Sequence, residues 1–123
     1  MQPYAQRWIF SAIVYFCVAV GLGVYMGASH DHSLHTVHAH LNLLGWVTQA
    51  LIGLIYNFFP LAGASRVATV QFWIHNITLP VMMVALGVLV KGNPAVEPVM
   101  GITSVIMLGA VILFAVNVIG RRA

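Results

Sequence analysis

Four apolar stretches divide the chain, at roughly 8–28, 37–59, 67–90 and 99–119, with short polar breaks between them. Each runs about 21 to 24 residues, and about 20 residues of α-helix cross a hydrocarbon core. Backbone amides in lipid must be satisfied within the segment, so the stretches read as helices and not strands. The pattern predicts an all-α integral membrane four-helix bundle that uses residues 1–123 as one domain. Arg7 followed by an apolar run resembles the start of a signal peptide. That run is longer than the usual core of about 7–15 residues, and three more follow, so a retained helix is expected.

The breaks carry turn chemistry. The first, 29–36, holds a group of histidines; the second, 60–66, opens on Pro60; the third, KGNPAVEP, holds Gly92, Asn93, Pro94 and Pro98. Pro80 in mid-span predicts a kink in the third helix, with a carbonyl freed about a turn earlier. Gly21, Gly23 and Gly27 predict close approach to the first helix.

The second stretch has two distinct faces. Steps of three and four from His38 meet Asn42, Gly45, Gln49, Gly53 and Tyr56, all polar, small or amphipathic. Steps from His40 meet Leu44, Val47, Leu51 and Ile55, all aliphatic. Two residues turn a helix by about 200°. His38 is therefore expected to look along a polar stripe into the bundle, and His40 along an apolar face.

Composition agrees with lipid. Apolar residues make up 61% of the chain and charged residues 6%, against about 25% charged in a soluble domain. The net charge of +3 matters through its placement. Arg7, Arg66, Arg121 and Arg122 fall on one side of an even number of spans. Lys91, Asp31 and Glu97 fall on the other, in loops. The positive-inside rule puts both termini in the cytoplasm and the His-rich loop outward, as in a bacterial-type inner membrane. Five dispersed cations make no nucleic-acid footprint. Cys17 is the only cysteine, so no intrachain disulfide forms, and a packing role is expected.

Five of the six histidines fall between residues 30 and 40. Imidazole at a membrane boundary needs a partner, and it is a common metal ligand. His40 beside aliphatic side chains suits a porphyrin, whose faces are apolar while its iron takes nitrogen. His38 and His40 point apart and cannot clamp one iron. His75, in the third stretch, is expected about 10–15 Å from His40 along the bilayer normal, so an intrachain clamp is not expected. His75 sits beside Asn76 and near Gln71, as a hydrogen-bonded interior residue or a weaker ligand. His30, His32 and His35 with Asp31 form an outward group suited to copper or zinc. Asn42 and Gln49 are placed to tune a ligand by hydrogen bonds. Three classes stay open: a haem protein, a His-rich copper- or zinc-handling protein without haem, and an assembly subunit whose histidines meet local polar needs.

The stretch HAHLNLLGW, the helix ending IYNFFP, and FWIHNITLPVMM resemble the small membrane proteins grouped with haem–copper oxidase subunit I. The likeness runs from about residue 27 to 98. Large members of that superfamily reduce oxygen or nitric oxide on twelve helices in three four-helix arcs. This chain resembles one arc, which implies a C3 homotrimer rebuilding the twelve-helix core. His38-Ala39-His40 resembles the superfamily's His-x-His pair, which gives one histidine to each of two haems. The resemblance implies haem b, with His38, His40 and His75 as candidate ligands shared between subunits, and an additional copper. It implies redox, electron-transfer or gas-ligand chemistry with a redox partner. The chain departs from the large enzymes in having no His-His pair and no embedded carboxylate, so proton pumping is not expected.

Overall fold

The computed structural model describes residues 1–121, and those residues are all helix and connecting turn. Four long helices follow in order: α1 (Pro3–Ser29), α2 (His35–Phe58), α3 (Arg66–Val90) and α4 (Glu97–Gly120). A single turn, Pro60–Gly63, joins α2 to α3, and a short 3₁₀ turn, Pro94–Val96, leads into α4. All four are long and apolar enough to cross a membrane. The fold is that of a multi-pass membrane protein.

Local chemistry sets the ends. Pro3 and Pro98 lie in the first turns of α1 and α4, where a missing N–H costs nothing. Ser65 caps α3 by accepting the Ala68 N–H at 3.2 Å. α1 ends on His30 in the left-handed conformation, φ 56°. α1 starts five residues before the expected 8, because Gln2 and Pro3 still favour helix entry. α3 runs unbroken through Pro80, whose ring faces outward. Glu97, expected in a loop, is an exposed residue of the first turn of α4, where a carboxylate suits the helix dipole.

α2 is irregular, and the irregularity positions the site. Between Leu41 and Val47 the backbone is π-helical, and the Thr48 N–H bonds the Leu43 carbonyl five residues back. Val37, Leu41, Gly45 and Gln49 are all buried. A repeat of four overshoots a 3.6-residue helix by about 40° each step. The wide turns absorb that drift and keep this series facing inward.

α1 packs along α2, and α3 along α4. Toward the His-rich end the interior is apolar: Ala19, Val37, Leu41, Leu79, Met82, Met83 and Met107. Toward the other end it is Trp8, Ile52, Tyr56, Ala62 and Ala68, and polar groups join it. Large apolar side chains such as Phe10, Val24, Val105 and Val116 stay exposed on α1 and α4, as lipid-facing residues do.

Of the three α1 glycines, only Gly23 lies at a close contact with another helix, at the His38 ring. A Cβ at Gly21 or Gly27 would meet nothing within 4 Å. Gly45, Gly53 and Gly63 are the tight positions; a Cβ at Gly45 would lie 2.7 Å from the Tyr15 Cβ. Cys17, expected to pack, is exposed. Asp31 and Lys91 pair at 3.0 Å across the two loops at the His-rich end. Ser33, then the Lys91 ammonium, hold the Asp31 carboxyl well below the usual carboxylate range. Arg122, grouped above with the cytoplasmic-side arginines, lies outside the described residues.

Candidate functional site

His38 and His40 sit in the first, regular turns of α2, where a spacing of two sends them to different neighbours. His38 turns to α1. Its Nδ1 lies 2.8 Å from the Ala19 carbonyl oxygen. Gly23 makes room for the ring, for a Cβ there would lie 3.0 Å from His38 Cε1. His40 turns back along its own helix, with Nδ1 2.8 Å from the Thr36 carbonyl oxygen. His35 repeats the arrangement on the His32 carbonyl at 2.9 Å.

These contacts set the tautomers. A carbonyl only accepts, so Nδ1 carries the hydrogen in all three rings, and Nε2 of the neutral ring keeps its lone pair. An imidazole pinned through one nitrogen by a backbone carbonyl, with the other nitrogen bare, is the arrangement found in metal-ligating histidines. Asn42 supports His38: its side-chain amide donates to the His38 carbonyl at 3.0 Å and stands 3.5 Å from His38 Nε2.

The expected polar stripe holds only in part. Gly45, Gln49, Gly53 and Tyr56 are buried, but His38 and Asn42 are half-buried at the α1 seam. Val37 and Leu41 take the inward face at that end instead. The π-helical turns cause the offset, because they rotate the face between the two ends of α2.

His75 is an interior residue. It is 0% exposed, packs edge-on against Trp8 with ring centroids 5.7 Å apart, and donates through Nε2 to the Leu44 carbonyl at 2.9 Å. The π-helical stretch makes that carbonyl accessible, since the Thr48 N–H that would meet it in a regular helix bonds Leu43 instead. His75 thus reaches α2 only about a turn from His40, closer in height than the expected separation. Gln49, expected beside a ligand, donates to the neighbouring Gly45 carbonyl at 3.2 Å.

His30, His32 and His35 lie exposed at the end of α1 and the start of α2. Among the described residues, no three His, Cys, Asp or Glu side chains converge on one metal position. No hydrogen bond or ring contact joins the rings of His38, His40 and His75 to one another.

Sequence reasoning passed over the polar cluster at the opposite end. Tyr56 donates to Gln71 Oε1 at 2.7 Å, and Asn117 donates to the Tyr56 hydroxyl at 3.1 Å and the Ala62 carbonyl at 3.0 Å. Ser65 donates to Asn117 Oδ1 at 3.1 Å. A lone Asn in an apolar run was the available signal.

Comparison with protein-family models, with curated proteins and with solved structures found no match.

Proposed function

We propose that this chain is a haem b-binding membrane protein, in which His38 and His40 at one end of α2 would hold the iron through their Nε2 atoms. The observation that carries the reading is the pair of pinned imidazoles: each gives Nδ1 to a backbone carbonyl and keeps an unprotonated Nε2, which in His38 has only a long 3.5 Å contact with the Asn42 amide. Both rings are half-buried beside apolar helix surface, which suits a porphyrin better than a hydrated ion. The likeness of HAHLNLLGW to the haem–copper oxidase subunit I group supports the same cofactor. His75 is not a ligand in this reading, because its Nε2 is committed to Leu44.

His38 and His40 turn to different neighbours, and no second histidine of the same chain faces either ring. A second histidine for each iron would then come from another copy, and a C3 trimer is the assembly we infer. Arg7, Arg66 and Arg121 lie at the end away from the histidines, so the positive-inside rule places the ligand end outward and both termini in the cytoplasm of a bacterial-type inner membrane. Bound haem supplies one-electron transfer or gas binding. The chain's own residues hold the ligand tautomers, exclude water with aliphatic surface, and set spacing through Gly23 and Asn42. The added-copper reading rests on His30, His32 and His35, of which only His35 has a pinned ring.

The test is the visible spectrum of protein purified as expressed. A Soret band lost in His40→Ala and His38→Ala, and kept in His75→Ala variants that fold, is expected. A colourless protein that takes up no added haemin overturns the reading. Native mass spectrometry in detergent tests the assembly: a monomer that retains haem overturns the trimer. A carbon monoxide shift of the reduced spectrum separates an open, gas-binding site from an electron carrier.

A further inference from the structure

Seven buried side-chain polar atoms have no hydrogen-bond partner among the described residues; Tyr4 Oη, Arg7 Nε and Ser33 Oγ belong to partly exposed residues, and the other four are Trp8 Nε1, Gln49 Oε1, Gln71 Nε2 and His75 Nδ1. These last four side chains are 0% exposed. Their remaining polar atoms are held by named contacts. Gln49 gives its amide to the Gly45 carbonyl, and His75 gives Nε2 to the adjacent Leu44 carbonyl. Gln71 accepts from Tyr56, and it stands one helical turn from His75 on α3.

These contacts link Trp8, His75 and Gln71 through one indole and the Tyr56 ring, and Gln49 enters from α2 through the Gly45 carbonyl, next to the Leu44 carbonyl that His75 holds. The Trp8 ring lies 5.7 Å from the His75 ring and 6.2 Å from the Tyr56 ring, centroid to centroid. α1, α2 and α3 each contribute at the same level of the bundle. The set has two donors, the indole N–H and the Gln71 amide, and two acceptors, the Gln49 carbonyl and the His75 lone pair. Leaving any one of them unpaired in the interior costs about 1–3 kcal/mol.

Two donors and two acceptors are the complement of a water molecule, which accepts two hydrogen bonds and donates two. We propose that Trp8, Gln49, Gln71 and His75 enclose a structural water site that ties α1 to α2 and α3. The four side chains carry neither a carboxylate nor a thiolate for a metal cation, and the Arg7 guanidinium next to Trp8 in sequence is turned to the Thr69 hydroxyl and the Phe72 ring. Nor is the site a proton wire. Its link toward the opposite end passes through the amides of Gln71 and Asn117, which exchange protons poorly. Toward the His-rich end, Leu41, Leu79, Met82 and Met83 close it off. The water completes His75: Nε2 donates to α2 and Nδ1 accepts from the water.

Solution NMR of the ¹⁵N-labelled protein in detergent micelles tests this, with water as the probe. The expected result is magnetisation transfer from water to the Trp8 indole N–H and the Gln71 side-chain amide. Trp8→Phe assigns the indole signal against Trp46 and Trp73. His75 Nδ1 should resonate as a hydrogen-bonded acceptor. In Gln49→Leu the transfer to Trp8 should fall several-fold. Absence of transfer in the unmodified protein, or direct through-bond coupling from the indole N–H to His75 or Gln49, overturns the proposal. So does transfer unchanged in Gln49→Leu. If that variant does not fold, the unmodified protein decides alone.

Discussion

His75 of α3 donates through Nε2 to the backbone carbonyl of Leu44 in α2, at 2.9 Å. A side chain can bond a mid-helix carbonyl in this way because the π-helical stretch of α2 moves the competing N–H away. Each feature depends on the other: wide turns are strained without an outside donor, and a buried imidazole is costly without an acceptor. His75→Leu should therefore destabilise the fold by about 1–3 kcal/mol, the cost of an orphaned buried carbonyl. Thermal unfolding in detergent checks it. A variant as stable as the parent would show that α2 holds its wide turns unaided.

Gly45→Ala tests the α1–α2 seam. The new methyl would meet the Tyr15 Cβ at 2.7 Å and Cγ at 2.8 Å, atoms close to the backbone that cannot swing aside. Overpacking of this kind costs about 1–3 kcal/mol. Gly27→Ala is the control, since nothing lies within 4 Å of its added methyl. A lowered unfolding temperature is expected for the first and not the second.

Gly23→Ala should act on His38 with the backbone left intact. The added methyl would stand 3.0 Å from His38 Cε1, so the ring must give by a few tenths of an ångström, which strains its bond to the Ala19 carbonyl. Its Nδ1–H resonance should shift away from the bonded position. If His38 ligates haem, haem retention should fall with it, while Gly21→Ala changes neither.

Asp31 predicts a pH response outside the membrane. Its carboxyl is held below the ordinary value by Ser33 and then Lys91. A depressed folded value means that the stabilisation is present above the unfolded pKa of about 3.9 and lost as pH falls through the folded one. Loop contacts between Asp31 and Lys91 should therefore be insensitive between about pH 5 and 8 and loosen only in strong acid. NMR titration of Lys91→Met should show the Asp31 value move upward, with Ser33 retaining part of the depression.

Asn117→Leu should uncouple the end opposite the histidines. It removes donors to the Tyr56 hydroxyl and the Ala62 carbonyl and an acceptor for Ser65. The Ala62 carbonyl then loses one of three donors, because the Ser65 hydroxyl and backbone N–H also bond it, at 2.6 and 3.1 Å. A loss of about 1–3 kcal/mol is expected, read as lowered unfolding temperature. Asn117→Asp, which keeps the acceptor, should recover part of it.

Much of this architecture was legible in the residues. Runs of apolar side chains long enough to cross a bilayer have one backbone solution, so four helices and their breaks could be read directly. The opposed aim of His38 and His40 was legible too, because both lie in regular helix where two residues mean about 200°. The burial of Val37 and Leu41 in place of His38 and Asn42 was not. A 3.6-residue wheel assumes regular turns, and the π-helical stretch breaks that assumption between residues 41 and 47. The tight glycines were read only in part: Gly21 and Gly27 on α1 face open space, while Gly23 makes room for His38, and Gly45, Gly53 and Gly63 are closed by Tyr15, Ile9 and Tyr4, contacts that only packing reveals.

Alone, the amino-acid order determined what lipid and water demand: spans, breaks, charge asymmetry, and a concentration of imidazole at one end of one helix. Those follow from transfer energies and helix pitch, which act on each segment separately. Tertiary structure decided which nitrogen of each histidine is free. Carbonyls from α1, from α2's own first turn and from its π-helical stretch take Nδ1 of His38, Nδ1 of His40 and Nε2 of His75. That choice sets which rings keep an outward lone pair and which becomes a strut. For His40 the partner is local, four residues back; for His38 and His75 it lies 19 and 31 positions away, and no local pattern carries that information.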